Sequence, residues 1–166
     1  MTEIFGEHFE LYLGAHFIST DSRKLDFDIV SGFLARSYWA AGRSREATER
    51  SIANSLCFGL YQMDSDRQIA DADPSGVSDP QALRQVGFAR VVTDYATFAW
   101  LCDVYISEES RGRGLGKQLV ETVVSHPGLQ GLRRWMLATA DAHELYRRFG
   151  FVEMSSPERW MERFSP

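Results

Sequence analysis

The chain has 166 residues, of which 44% are hydrophobic and 25% charged, which is the balance of one folded domain over residues 1–166 that needs neither disulfide nor metal, rather than of a disordered segment. A net charge of -5 argues against a general nucleic-acid-binding surface, and no apolar run of about 18 residues exists to span a membrane. The N-terminal MTEIFGEHFE carries acidic residues where a secretory signal would be positive.

Residues 9–18, FELYLGAHFI, are aromatic and β-branched enough to predict a first strand. In 22–42, Ile29, Phe33, Leu34 and Tyr38 recur at helical spacing, so a helix ending near Gly42 is expected. Ser44 looks like the cap of a second helix. A short apolar strand follows over 56–63, then a long hairpin loop over 64–80, rich in aspartate and turn formers. Strands are expected over 83–93 and 98–107, joined by a tight turn around Asp94, Tyr95 and Ala96. A helix over 114–124, ended by Pro127 and Gly128, a strand over 134–139 and a short helix over 142–149 come next. The tail, 151–164, reads as one or two final strands. The order β-α-α-β-β-β-α-β-α-β predicts an α/β (α+β) domain, a mixed six- to seven-stranded sheet with helices on both faces. Cys57 and Cys102 lie in apolar strands without a second cysteine at ligand spacing, as reduced thiols of a cytosolic protein do; no metal site is expected.

Chemistry concentrates in residues 104–117, VYISEESRGRGLGK: a strand, a turn rich in arginine and glycine, then a helix. Gly112, Gly114 and Gly116 let the backbone approach a ligand closely. The unpaired amides of the helix start and the positive end of its dipole suit a phosphate, with Arg111 and Arg113 adding charge. A Rossmann fingerprint needs G-x-G-x-x-G, and the spacing here is G-x-G-x-G. A Walker loop needs a glycine five residues before the Gly-Lys pair, where Arg111 stands, and Ser or Thr after it, where Gln118 stands. A glycine-rich turn with solvated arginines is the plain alternative.

Arg111-Gly112-Arg113-Gly114-Leu115-Gly116 resembles the phosphate turn of the GNAT superfamily of N-acetyltransferases, Arg/Gln-x-x-Gly-x-Gly/Ala. Downstream, residues 142–151, AHELYRRFGF, are similar to that family's Ala-x-x-x-Tyr-x-x-x-Gly-Phe segment. The resemblance implies the GNAT-type acyl-CoA N-acyltransferase fold, acetyl-CoA as acyl donor, an amine acceptor attacked directly in a ternary complex, and, since many relatives dimerise, a homodimer. It implies that Val104, Tyr105 and Ile106 receive the pantetheine arm and acetyl carbonyl where two parallel strands splay. It further implies that Arg111, Gly112, Arg113, Gly114, Leu115, Gly116 and Lys117 hold the pyrophosphate, and that Tyr146 is the general acid beside the sulfur. Taken alone, Tyr146 reads equally as a core aromatic of an amphipathic helix.

Thr139 stands where the family often has an asparagine that contacts coenzyme A; it keeps a hydroxyl but loses the amide's paired donor and acceptor. For the base that must deprotonate the amine, Asp103 and His143 are the candidates, against a salt-bridge role for the first and a surface role for the second. In a regular strand Asp103 and Val104 point to opposite faces, and a bulge would change that. Cys102 as an acyl-carrying nucleophile lacks a neighbouring histidine. Tyr38, Trp39 and Arg43, with the loop before Leu83, are expected around the acceptor. A regulatory module on the same fold that binds coenzyme A without turnover is the competing function.

Overall fold

The computed structural model describes residues 8–63 and 83–163. Six strands form one sheet in the order of the chain: β1 (Glu10–Leu13), β2 (His16–Ser19), β3 (Leu56–Met63), β4 (Leu83–Thr93), β5 (Phe98–Ile106) and β6 (Arg134–Met136). Neighbours are antiparallel except β5 and β6, which are parallel. The helices among the described residues are α1 (Phe27–Arg36), α2 (Arg45–Ala53), α3 (Leu115–Ser125) and α4 (His143–Arg147). The mixed six-stranded sheet expected from the sequence is therefore present, with helices on both faces.

Several boundaries differ, each for a local reason. The single strand expected over 9–18 is a hairpin, because Gly14 takes a left-handed backbone (φ 62°) and pairs Leu13 with His16 across a two-residue turn. The long helix expected over 22–42 is broken. The Asp21 carboxylate accepts from the Arg23 N–H to cap a 3-10 turn, Asp26 caps α1 by accepting from the Ile29 N–H at 3.0 Å, and Ser37 closes it. Ser44 does cap α2, accepting from the Ala47 N–H at 3.1 Å. β6 stops at Met136 rather than continuing to 139, and α4 covers only His143–Arg147. The tail carries no strand among the described residues, only a 3-10 turn at Pro157–Arg159. The expected loop over 64–80 lies outside the described residues.

Two cores flank the sheet. On one face Leu115, Leu119, Val120 and Val123 of α3 meet Ile18, Phe58, Leu60, Val86, Val91 and Leu101. On the other, Val30, Phe33 and Leu34 of α1 meet Cys57, Phe88 and Tyr105, with Phe33 and Tyr105 stacked at 3.8 Å between ring centres.

One irregularity decides the site. Phe88 pairs with Tyr105 but Arg90 pairs with Cys102, so Asp103 and Val104 share the single partner position of Ala89: a β-bulge. Asp103 is its left-handed residue, at φ 51°, a conformation that aspartate tolerates better than most side chains. The bulge shifts the parity of β5. Ala99 and Leu101 face α3, and so do Val104 and Ile106, whereas Tyr105 faces α1.

Candidate active site

β5 and β6 pair only from Phe98↔Arg134 to Trp100↔Met136. Beyond Trp100, β5 runs on while β6 has ended, and the two chains diverge. Between them opens a cavity of about 830 Å³ lined by residues 100–106 of β5, by Ala138 and Thr139, by the phosphate turn and by α4.

At one end stands the turn into α3. Gly112 and Gly114 have φ of 75° and 77°, so both need a glycine backbone, and Gly114 is the helix N-cap. The first helical bond is Gln118 N–H to the Gly114 carbonyl at 3.1 Å, which leaves the amides of Leu115, Gly116 and Lys117 without an intrahelical acceptor. Arg111 Nε donates to the Ile106 carbonyl at 3.1 Å, tying the turn to the end of β5. Arg111, Gly112, Gly114, Leu115, Gly116 and Lys117 all line the cavity; Arg113 does not, and its charge acts instead on His16, where burial first and then Arg113 lower the imidazole pKa.

Tyr146 is buried, at 8% exposure, and its ring is set by the end of α4. Gly150 turns left-handed (φ 83°), so that Phe151 N–H bonds the Tyr146 carbonyl at 3.3 Å and Gly150 N–H the Arg147 carbonyl at 3.1 Å. That closure brings Phe151 edge-on against the Tyr146 ring at 5.9 Å. The Tyr-x-x-x-Gly-Phe spacing thus has a mechanical meaning: it clamps the phenol. Burial, with smaller contributions from Tyr38 and Asp141, pushes the phenol up to about 12, so it is protonated at neutral pH.

At the other end, Asp103 is 4% exposed and bound by two guanidinium groups. Arg43 Nη1 and Nη2 donate to it at 2.7 and 3.1 Å, and Arg90 Nε donates at 2.8 Å. Burial would raise its pKa, but the Arg43 hydrogen bond and the Arg90 charge outweigh that and hold the carboxyl below its ordinary value. A carboxylate so placed is a poor proton acceptor, and the salt-bridge reading of Asp103 is the one its geometry supports. His143 is exposed and lines a neighbouring cavity of about 390 Å³ instead of the main one. Thr139 lines both, and its hydroxyl accepts from the Ala142 N–H at 3.0 Å, which ties down the turn before α4. Tyr105 presents its backbone to the cleft while its ring belongs to the α1 core. Burial pushes the Cys102 thiol up to about 11, which leaves it protonated and weakly nucleophilic.

Tyr38, Trp39 and Arg43 line this end, and the Tyr38 hydroxyl accepts from the Ala140 N–H at 2.9 Å across the cleft mouth. Arg90 and Trp100 line it too and were not singled out from the sequence. Arg90 had a signal, a lone cation inside the apolar run VGFARVV; the amphipathic Trp100 had none.

The acetyltransferase (GNAT) domain description matches residues 80–153. A Gibberella zeae protein assigned by name as an acetyltransferase is 33% identical over 138 residues, covering 80% of this chain and 76% of its own. The chain belongs to the GNAT acetyltransferase family. A Xanthomonas campestris protein assigned to the GNAT family has a solved structure that overlays with a TM-score of 0.77 at 41% identity, covering 93% of this chain and 96% of the other. The thialysine N-epsilon-acetyltransferase of Bos taurus is 28% identical over 94 residues, 52% of this chain and 55% of its own. Among the described residues no helix is long and apolar enough to cross a membrane, and no group of side chains is arranged to hold a metal.

Proposed function

We propose that this GNAT protein transfers the acetyl group of acetyl-CoA to the amine of a small molecule or peptide, by direct attack in a ternary complex. The observation that carries this reading is the continuity of one cleft from the free amides at the start of α3, past the bared edge of β5, to Tyr146. The pyrophosphate sits on the amides of Gly114 to Lys117 with Arg111 and Lys117 beside it. Past Trp100 the edge of β5 toward β6 has no strand partner among the described residues, which suits the amide-bearing pantetheine arm and the thioester carbonyl. The name of the bovine relative, an N-epsilon-acetyltransferase, supports an amine acceptor.

In the reaction, the neutral amine attacks the thioester carbon, the C–N bond forms, and negative charge gathers on oxygen, where a β5 N–H stabilises it. Collapse breaks the C–S bond and expels the coenzyme thiolate. The Tyr146 phenol donates to that sulfur. A thiol with pKa near 8.5 holds a proton less tightly than a phenol at about 12, so Tyr146 stabilises the departing sulfur, and the proton that remains on it is the one the amine released. Water in the open cleft relays that proton, because Asp103 is committed to its two arginines.

The test pairs calorimetry with a thiol-release assay on an amine panel. Tyr146→Phe should lower kcat by about 10²-fold or more while acetyl-CoA affinity changes little. Unchanged kcat removes Tyr146 from the chemistry, and acetyl-CoA binding without turnover on every amine favours a regulatory module instead.

A further inference from the structure

We infer that the acceptor is an amine that also carries a carboxylate, of the amino-acid class, and that Arg43 is the residue that binds it; this rests on the acyl-transfer reading above. The cavity has opposite electrostatics to the protein as a whole. The chain's net charge is -5, yet the cavity is lined by five cationic side chains (Arg43, Arg90, Arg111, Lys117 and Arg148) and only two anionic ones, Asp103 and Asp141. Arg111 and Lys117 stand at the phosphate turn and answer to the coenzyme. Arg43 and Arg90 do not. They meet at Asp103, which lies three residues, roughly 10 Å of strand, back from the end of β5 at Ile106.

Two guanidinium groups share one carboxylate there, so the cluster keeps a net positive charge. Among the described residues, Arg43 directs two of its five N–H donors to Asp103, and Arg90 directs one to Asp103 and one to Ser55 Oγ at 3.0 Å. Each therefore keeps three N–H donors beyond these bonds, and both line the cavity, but the Arg43 side chain is 24% exposed and Arg90 11%, so Arg43 is the more accessible of the two. A partly desolvated surplus charge is costly unless an anion meets it, and the planar fork of arginine matches a carboxylate. Trp39 and Trp100 line the same cavity and offer apolar surface for the carbon chain between carboxylate and amine. Asp103, bound to both arginines, is the positioning residue that holds Arg43 in place.

The experiment measures kcat/KM for matched pairs of small amines, each an amino acid and its decarboxylated analogue, with acetyl-CoA binding followed by calorimetry on the same preparations. For wild type the carboxylated member should be preferred by about tenfold or more, the ratio that about 1.4 kcal/mol supplies. In Arg43→Gln that ratio should fall toward unity through KM for the carboxylated member, with acetyl-CoA affinity retained. Arg43→Lys, which keeps the charge without the fork, should give an intermediate ratio. Equal use of both members by wild type, or a preference that survives in Arg43→Gln, overturns the inference while leaving acyl transfer standing. Should acetyl-CoA itself fail to bind, the acyl-transfer reading falls and this inference with it.

Discussion

Asp103 occupies the one position on β5 where the backbone turns left-handed, and its carboxylate reaches two arginines that a regular strand would place on the opposite face from it. In regular alternation Asp103 would share the α3 face with Leu101, in a core of aliphatic side chains, where an ionised carboxylate has no partner. The bulge removes that conflict. The same cluster sets a pH dependence. A carboxyl whose folded pKa lies below its unfolded value of about 3.9 contributes stability that is present above that value and lost as pH falls through the folded one. Asp103→Asn leaves Arg43 and Arg90 adjacent without a counter-charge and should cost about 2–3 kcal/mol at neutral pH, less than for a fully enclosed pair because Arg43 is partly exposed. Urea midpoints taken from neutral pH down to about pH 2 should show the gap between wild type and variant holding to about pH 4 and narrowing below it. A gap that stays constant well below about pH 4 contradicts the ionised cluster.

The elements that carry the site were legible in the sequence wherever a local rule had no competitor. Among the described residues β3 and β4 cover the segments in which strands were expected, and Ser44 caps α2 because a serine before a helical stretch has one obvious use. The turn before α3 was legible because glycines at alternate positions before a helix answer a backbone need, and two of them do take positive φ. Illegible was whatever depended on the strand across the way. The bulge at Asp103 is a matter of register between β4 and β5, and the arginine that meets it from β4 lies 13 positions earlier in the chain. Gly14 sits in a run whose aromatic and β-branched flanks favour one continuous strand and mask the turn that a single glycine makes. The tail, apolar enough to suggest strands, instead leaves Val152 and Met161 exposed. Gly14 and Gly114 permit a controlled comparison. Both are left-handed, with φ 62° and 77°, and at both an added Cβ would meet no atom within 4 Å. Alanine at either should cost about 1–2 kcal/mol of backbone strain, and so a similar drop in melting temperature. Gly114→Ala should in addition weaken acetyl-CoA binding about tenfold or more, read by calorimetry, because the methyl enters the space where the pyrophosphate approaches the helix amides, whereas Gly14→Ala should bind normally. Equal affinities in the two variants would remove the turn from the coenzyme site.

For the whole molecule, the site is a seam: the cavity lies between β5 and β6, with α3 and the phosphate turn on one side of it and α4 on the other. A ligand that bridges such a seam stabilises the folded chain, since the unfolded chain has no cleft to offer it. By mass action, acetyl-CoA at about one hundred times its dissociation constant adds ~2.7 kcal/mol. For a domain of 166 residues that corresponds to a rise in melting temperature of about 5–11 °C. The charge distribution adds a second signature. On the proposed binding mode, an overall charge of -5 would repel an anionic coenzyme at long range, while Arg111 and Lys117, which line the cavity, would attract it there. At low ionic strength both fields extend about 30 Å, and at 0.15 M salt only about 8 Å, so moderate salt screens the distant repulsion before the contacts themselves. The contacts at the mouth are themselves exposed, and higher salt weakens them in turn. Calorimetric affinity for acetyl-CoA should therefore pass through a maximum or plateau at moderate salt and then decline toward 1 M, and the thermal shift should decline with it. Acetyl-CoA affinity and a thermal shift that stay level up to 1 M salt would mean that the cations of the turn play no part in holding the phosphates.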